Sequence, residues 1–220
     1  MARPREFDKA KVIELAAELF RLKGYQATSM RDLITHVGLS SSSIYAAFGG
    51  KYGLFTAALQ HGAAQDKAMI AAALEHPAGV MAGIAALYDG LLDSLLAEDD
   101  AAASLTLRAA LESLGTDGEG HENDVLDALR SHFTDISSLV AERLEQAQTR
   151  GELHLRQDAS DLALFLLLNA FNLNFVVKLT RDRDRLTAYV QAALDAVAGS
   201  GAAPGAAPGA APGGVDGAGA

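Results

Sequence analysis

Apolar residues recur at helical spacing along most of the chain, and no stretch alternates apolar with polar residues as a half-buried strand does. Ile13, Ala16, Ala17 and Phe20 form one stripe on a first helix that starts at Asp8, a capping residue, and stops at Gly24. Ser29 with Asp32 three residues later fits a capping box, opening a second helix that Gly38 ends. Ser40 is the natural cap of a third helix over residues 41–48, after which Gly49 and Gly50 break the chain. A longer helix runs from Lys51 to about Glu75, stopped by Pro77.

Beyond Pro77 the pattern stays helical. Met81, Ile84, Tyr88, Leu91, Leu92 and Leu95 share one face, and residues 105–114 make a shorter helix. GTDGEG (residues 115–120) reads as a loop. Leu126, Leu129, Phe133, Ile136, Val140 and Leu144 line a long helix from about Asn123 to Thr149, which Gly151 ends. Asp158 or Ser160 caps the most apolar segment, residues 162–179. Its apolar positions go all the way round, so more than one side should be buried.

That segment approaches the length of a membrane span. Asn169, Asn172 and Asn174 interrupt it, however, Asp161 and Lys178 sit at its ends, and no second span follows. Amides at the centre of a bilayer are costly, so no membrane partner is expected. A partner subunit explains the burial more simply. Leu186, Val190, Ala193, Leu194 and Val197 give the last helix its own stripe. The two helices therefore predict a homodimer, with Leu164, Leu168, Phe175, Leu186, Val190 and Leu194 at its interface.

Composition agrees with an all-α fold: half the residues are apolar, Ala and Leu dominate, and tryptophan is absent. The absence of cysteine excludes disulfides, thiolate metal sites and cysteine nucleophiles. MARPREFDKAKV has charge but no following apolar run, so a cytoplasmic protein is expected. From Gly199 onward the chain is an AAPG repeat with almost no bulky side chains, which predicts a flexible tail over 199–220.

Charge changes the picture more. Residues 1–58 hold eight Lys or Arg against five Asp or Glu, a net +3, whereas residues 59–220 hold ten against twenty-three, a net −13. A basic head on an acidic body fits a protein of which only one end meets phosphate. An ordinary acidic protein with a patchy surface is the competing reading.

The head also carries the most specific motif. The segment SMRDLITHVGLSSSSIYAAF (29–48) reads as two short helices bent around Gly38, an arrangement that presents one helix to a DNA major groove. Together with Gly24-Tyr25, Asp32-Leu33, Ser40, Ile44-Tyr45, Phe48, Lys51 and Leu54-Phe55, it closely resembles the TetR (tetracycline-repressor-like) transcriptional regulators over residues 8–58. Gly151-Glu152-Leu153 before the last two helices is a weaker likeness. The resemblance implies a three-helix DNA-binding domain (1–50) followed by a larger helical ligand-binding and dimerisation domain (51–198). It also implies a homodimer on a double-stranded DNA operator with palindromic symmetry.

The DNA-contact candidates are Arg31, Ser40, Ser41, Ser42, Ser43, Tyr45, Ala46 and Lys51. Ser41–Ser43 occupy the first turn of the recognition helix, where free amides attract phosphate and small hydroxyls can meet base edges. In the family, the residue matching Tyr45 contacts phosphate, those matching Ser41, Ser42 and Ala46 approach bases, and the residue matching Lys51 binds phosphate. Arg31 is the one long donor nearby able to fork onto a guanine, as some members do at the matching place. Arg3, Arg5 and Lys9 can add phosphate contacts or form a basic tip. The family often carries His or Tyr at Ala47 and a larger side chain at Ala46, so here readout must lean on Arg31, the serines and DNA shape.

Met81, Tyr88, Phe133, Phe171 and Asn172 are the candidates for an unknown small-molecule effector, although core packing accounts for each as well. The asparagines stand apart because buried amides need partners, in a ligand or across the dimer. The six histidines form no metal-spaced pair and the serines lack a local base, so neither a cofactor nor an enzyme is expected. Three readings remain open: a ligand-responsive repressor, a DNA-binding dimer without a small ligand, and a helical dimerisation module that does not read DNA.

Overall fold

The computed structural model describes residues 7–97, 104–113 and 122–198. Arg3, Arg5, the GTDGEG loop and the 199–220 tail lie outside the described residues. The described chain is all-α, as expected: α1 (Lys9–Lys23), α2 (Met30–Val37), α3 (Ser41–Phe48), α4 (Lys51–Leu74), α5 (Val80–Leu96), α6 (Leu105–Ser113), α7 (Glu122–Thr149), α8 (Ala159–Leu179) and α9 (Arg183–Ala198).

Local chemistry sets the ends of the short N-terminal helices. The Asp8 carboxylate accepts from the Ala10 and Lys11 amides at 2.9 and 3.3 Å. Ser29 and Asp32 form a reciprocal capping box: Ser29 Oγ accepts from the Asp32 amide at 3.1 Å, and Asp32 Oδ2 accepts from the Ser29 amide at 2.9 Å. Gly38 ends α2 in the left-handed region at φ 70°, its N–H donating to the Ile34 carbonyl. A side chain at that φ is disfavoured, so glycine gives the sharp turn cheaply.

Two apolar cores result. In the head, Phe20, Leu33, Ile44 and Leu54 are fully buried, each contributing about 1.5–3 kcal/mol by leaving water. The Phe20 ring meets Phe55 edge-on at 5.1 Å. This core does not stop at residue 50. Leu54, Phe55, Ala58 and Leu59 of α4 belong to it, as do Leu105 and Ala109 of α6. Leu74, at the far end of the same unbroken α4, belongs to the second core. That core joins Ile84, Tyr88 and Leu92 (α5), Ile136, Val140 and Leu144 (α7), Leu162, Leu166 and Leu173 (α8) and the apolar stripe of α9.

The α9 stripe corrects part of the expected dimer interface. Leu186, Val190 and Leu194 are only 1, 4 and 7% exposed within their own chain. They are buried because α9 turns its single apolar face onto α5 and α8. The other three residues lie differently: Leu164, Leu168 and Phe175 are 41, 52 and 61% exposed. Helix α8 therefore has two apolar faces, one (Leu162, Leu166, Leu173, Val177) inside the chain and one outside it. By length and composition α8 is sufficient to cross a membrane, yet its inner face packs against α5, α7 and α9.

Candidate nucleic-acid interface

Gly38, Leu39 and Ser40 join α2 to α3. Ile44 faces the core at 0% exposure and fixes the rotation of α3, while Ser41, Ser42, Tyr45 and Ala46 are exposed. Ile44 is therefore core rather than contact, and Phe48 packs against the same cluster. The helix thus presents one side, made of two hydroxyls, a phenol and a methyl group.

The four serines are not equivalent. Ser40 Oγ accepts from the Ser43 amide at 3.2 Å and lies 2.9 Å from the hydroxyls of both Ser42 and Ser43. Its first role is therefore the cap of α3. Ser43 is half-buried and tied to that cap. Ser41 and Ser42 are the serines that face outward at the N-terminal end of α3, where unpaired amides favour an anion.

Tyr45 is 57% exposed, its ring seated against Gly50, where a Cβ would come within 2.9 Å of Cε1. Arg31 is exposed in the first turn of α2, and no carboxylate among the described residues pairs with it. Lys9, at the start of α1, is exposed too. Lys51 is half-buried, with Nζ 4.4 Å from the centre of the Tyr25 ring. Burial pushes its pKa down, and the negative charge of Glu112 opposes that shift. Tyr25 packs in turn on Phe55 at 4.7 Å.

Glu112 is the residue that sequence reasoning missed. It belongs to α6, yet its Oε2 accepts from the Tyr25 backbone N–H at 2.9 Å. Gly24 makes room for it: at φ 80° this residue has no Cβ, and one placed there would collide with the Glu112 carboxylate. Arg108 Nε lies 3.5 Å from the same carboxylate. Nothing local in the sequence signals a contact spanning 87 positions. The corner is tied a second time by Lys23, whose ammonium lies 2.9 Å from Asp32. Hydrogen bonding from the Ser29 hydroxyl and then from Lys23 holds the Asp32 carboxyl well below the usual carboxylate range.

The five effector candidates do not come together. Tyr88 is core, its hydroxyl donating to the Leu166 carbonyl at 2.7 Å, and burial pushes its pKa up. Phe133 and Phe171 are 39 and 37% exposed and Asn172 is exposed, because these parts of α7 and α8 turn outward. Of the remaining asparagines, Asn169 accepts from the Tyr189 hydroxyl at 2.5 Å, and the Asn174 amide donates to the Phe171 carbonyl at 3.1 Å. Both are satisfied inside the chain. Met81 lines an open cleft of about 430 Å³ with Leu74, Glu75, His76, Arg150 and Glu152, between the α4–α5 and α7–α8 turns.

Comparison with known proteins gives a consistent result. Residues 12–58, from α1 into α4, match the family of bacterial regulatory proteins described as tetR. The structure is similar to that of a TetR family transcriptional regulator, a cysteine mutant of CifR complexed with a 26-bp double-strand operator DNA. That likeness has a TM-score of 0.73 at 31% identity and covers 89% of this chain and 100% of that one. An HTH-type transcriptional regulator of Bacillus subtilis, YezE, is 29% identical over 198 residues, 90% of this chain and 100% of its own length. The HTH-type transcriptional repressor ComR of Escherichia coli is 29% identical over 166 residues, 74% of this chain and 76% of its own length.

Proposed function

The chain belongs to the TetR family of transcriptional regulators, and from that premise we propose that it is a cytoplasmic homodimeric repressor that leaves its operator when a small molecule binds the body. The observation that carries the reading is the α2–Gly38–α3 unit, with Ser41, Ser42, Tyr45 and Ala46 on its open side. In this reading residues 1–50 read DNA and residues 51–198 bind the effector and dimerise.

Charge for phosphate binding comes from Arg31, Lys51 and Lys9, because α3 carries no Lys or Arg. Tyr45 and the α3 N-terminus hold phosphates and set register, which positions the protein without reading sequence. Base discrimination falls to Ser41, Ser42, the Ala46 methyl and Arg31, the last through the two acceptors of a guanine. Ser40 and Ser43 serve by shaping the first turn.

Two observations support control by the body. Helix α4 runs without a break from the head core to the body core. Glu112 of α6 grips the backbone beside Lys51, and α6 is itself tied to α4 through Thr106, which donates to Asp66 at 2.5 Å. A ligand that favours one placement of α4 and α6 biases the placement of the head by its differential affinity.

Selection of bound sequences from random duplex DNA by the purified protein tests the reading. A palindromic site, with affinity that falls steeply with salt, is the expected result. Salt-insensitive binding, or binding unchanged in Tyr45→Ala and Lys51→Ala, rejects DNA recognition by this surface. Screening compounds and cell extracts against the preformed complex tests the effector, and failure of every one to release DNA rejects ligand control.

A further inference from the structure

Lys51 opens α4 directly after Gly50, the residue against which the Tyr45 ring is seated. Because α3 has no Lys or Arg, Lys51 is the next cation along the chain from the recognition helix. A lysine ammonium sits on a stem of freely rotating bonds, and freezing that stem on a phosphate costs affinity. Here the stem is already restrained. Lys51 Nζ lies over the face of the Tyr25 ring, 4.4 Å from its centre, well inside the distance of about 6 Å at which a ring attracts a cation.

Tyr25 is itself a fixed platform. Its backbone N–H donates to Glu112 Oε2 at 2.9 Å, and its carbonyl accepts from the Thr28 N–H at 3.3 Å. Its ring packs on Phe55 at 4.7 Å and Phe20 at 6.2 Å, and meets Tyr52 edge-on at 6.4 Å. We propose that Tyr25 is a positioning residue for DNA, whose ring holds the Lys51 ammonium in place before a phosphate arrives. The inference rests on the reading of Lys51 as a phosphate contact and adds the residue that readies it.

An aromatic face suits this task better than a carboxylate. It attracts the ammonium without neutralising it, so an arriving phosphate still meets a full positive charge. A carboxylate at the same place would restrain the stem and cancel the field that a phosphate needs. Glu112, whose ion-pair partner is Arg108, reaches Lys51 by charge alone. The burial that pushes the Lys51 pKa down has also removed part of the ammonium's water, a cost borne by folding and not by DNA binding.

Binding of a duplex selected from random DNA, measured over a range of salt, tests the clamp. Tyr25→Leu should weaken binding roughly two- to ten-fold for each head on the DNA, the cost of ordering one lysine. The slope of log affinity against log salt should not change, since as many cations meet phosphate as before. Tyr25→Phe keeps the ring and should bind as the wild type does. In a Lys51→Gln background Tyr25→Leu should cost nothing further, whereas a general disturbance of the head would weaken binding equally in both backgrounds. Should Tyr25→Leu fail to fold, NMR of the DNA-free wild type with carbon-13 lysine reads the clamp directly. The Lys51 ε-methylene signal, identified by its loss in Lys51→Gln, should be shifted upfield by the ring, and a position among the exposed lysines overturns the inference. Equal losses in both backgrounds overturn it too, as does a Tyr25→Phe as weak as Tyr25→Leu, which would give the role to the hydroxyl. Lys51→Gln with an unchanged salt slope removes the phosphate contact and this inference with it. A lowered slope beside an unaffected Tyr25→Leu rejects the inference alone.

Discussion

Through the contact between Gly24 and Glu112, α6 holds the head by one carboxylate. Gly24 sits at φ 80°, ψ 169°, a conformation reached almost solely by glycine. Gly24→Ala therefore costs about 1–3 kcal/mol in backbone strain alone. Its new Cβ also collides with Glu112, which must swing away and release the Tyr25 amide. A hydrogen bond to a charged group contributes about 1.5–3 kcal/mol, which solvent screening at 29% side-chain exposure for Glu112 reduces to about 1–2. The single variant should then lose about 2–5 kcal/mol and Glu112→Ala about 1–2.

In the double variant the amide is already released, so the losses overlap. A coupling of about 1–2 kcal/mol is expected. Urea unfolding followed by far-UV circular dichroism, at one fixed protein concentration, measures all four corners of this cycle. Additivity within about 0.5 kcal/mol would refute the contact, since it would mean that the two residues do not meet. Gly24→Ala with no loss at all would refute the left-handed corner as well.

Other consequences separate folding from recognition. Ser40→Ala should destabilise by about 1 kcal/mol through loss of the α3 cap, whereas Ser41→Ala should leave the urea midpoint unchanged and weaken operator binding; equal stability losses would contradict the division of roles among the serines. Tyr45→Phe should reduce operator affinity roughly three- to ten-fold at constant melting temperature, measured by fluorescence anisotropy. Lys51→Gln should lower the slope of log affinity against log salt by about one, and an unchanged slope removes Lys51 from the phosphate contacts. Asp32 has a folded pKa below its unfolded value of about 3.9, so its stabilisation is fully present above that value and is lost as pH falls toward the folded one. Urea midpoints of the wild type and Asp32→Asn should differ at neutral pH, and the gap should narrow steadily only below about pH 4; a gap that stays constant through acid pH would show that the carboxylate charge plays no part.

How far the sequence could be read depended on the range of the interaction that fixed each feature. The ends of α1, α2 and α3 rest on caps and turns within four residues, and Asp8, Ser29, Gly38 and Ser40 act where the pattern placed them. The exposed contact face of α3 was legible for the same reason, since burying Ile44 dictates which side remains open. Glu112 was not legible, because a polar residue on an amphipathic helix gives no sign of which distant backbone it will meet. Sequence alone also could not show α4 joining two cores, as the apolar positions at its two ends look alike.

The last two helices show the same limit in its sharpest form. An apolar stripe states that a face is to be covered and says nothing about which chain covers it. In α9 the stripe of Leu186, Val190 and Leu194 is covered by its own chain, although it looked as suitable for a partner as any other. In α8 the all-round pattern splits into an inner face consumed by folding and an outer face whose described residues stay exposed. An apolar residue that serves folding and one left exposed have identical chemistry in the sequence, and tertiary packing is what separates the two.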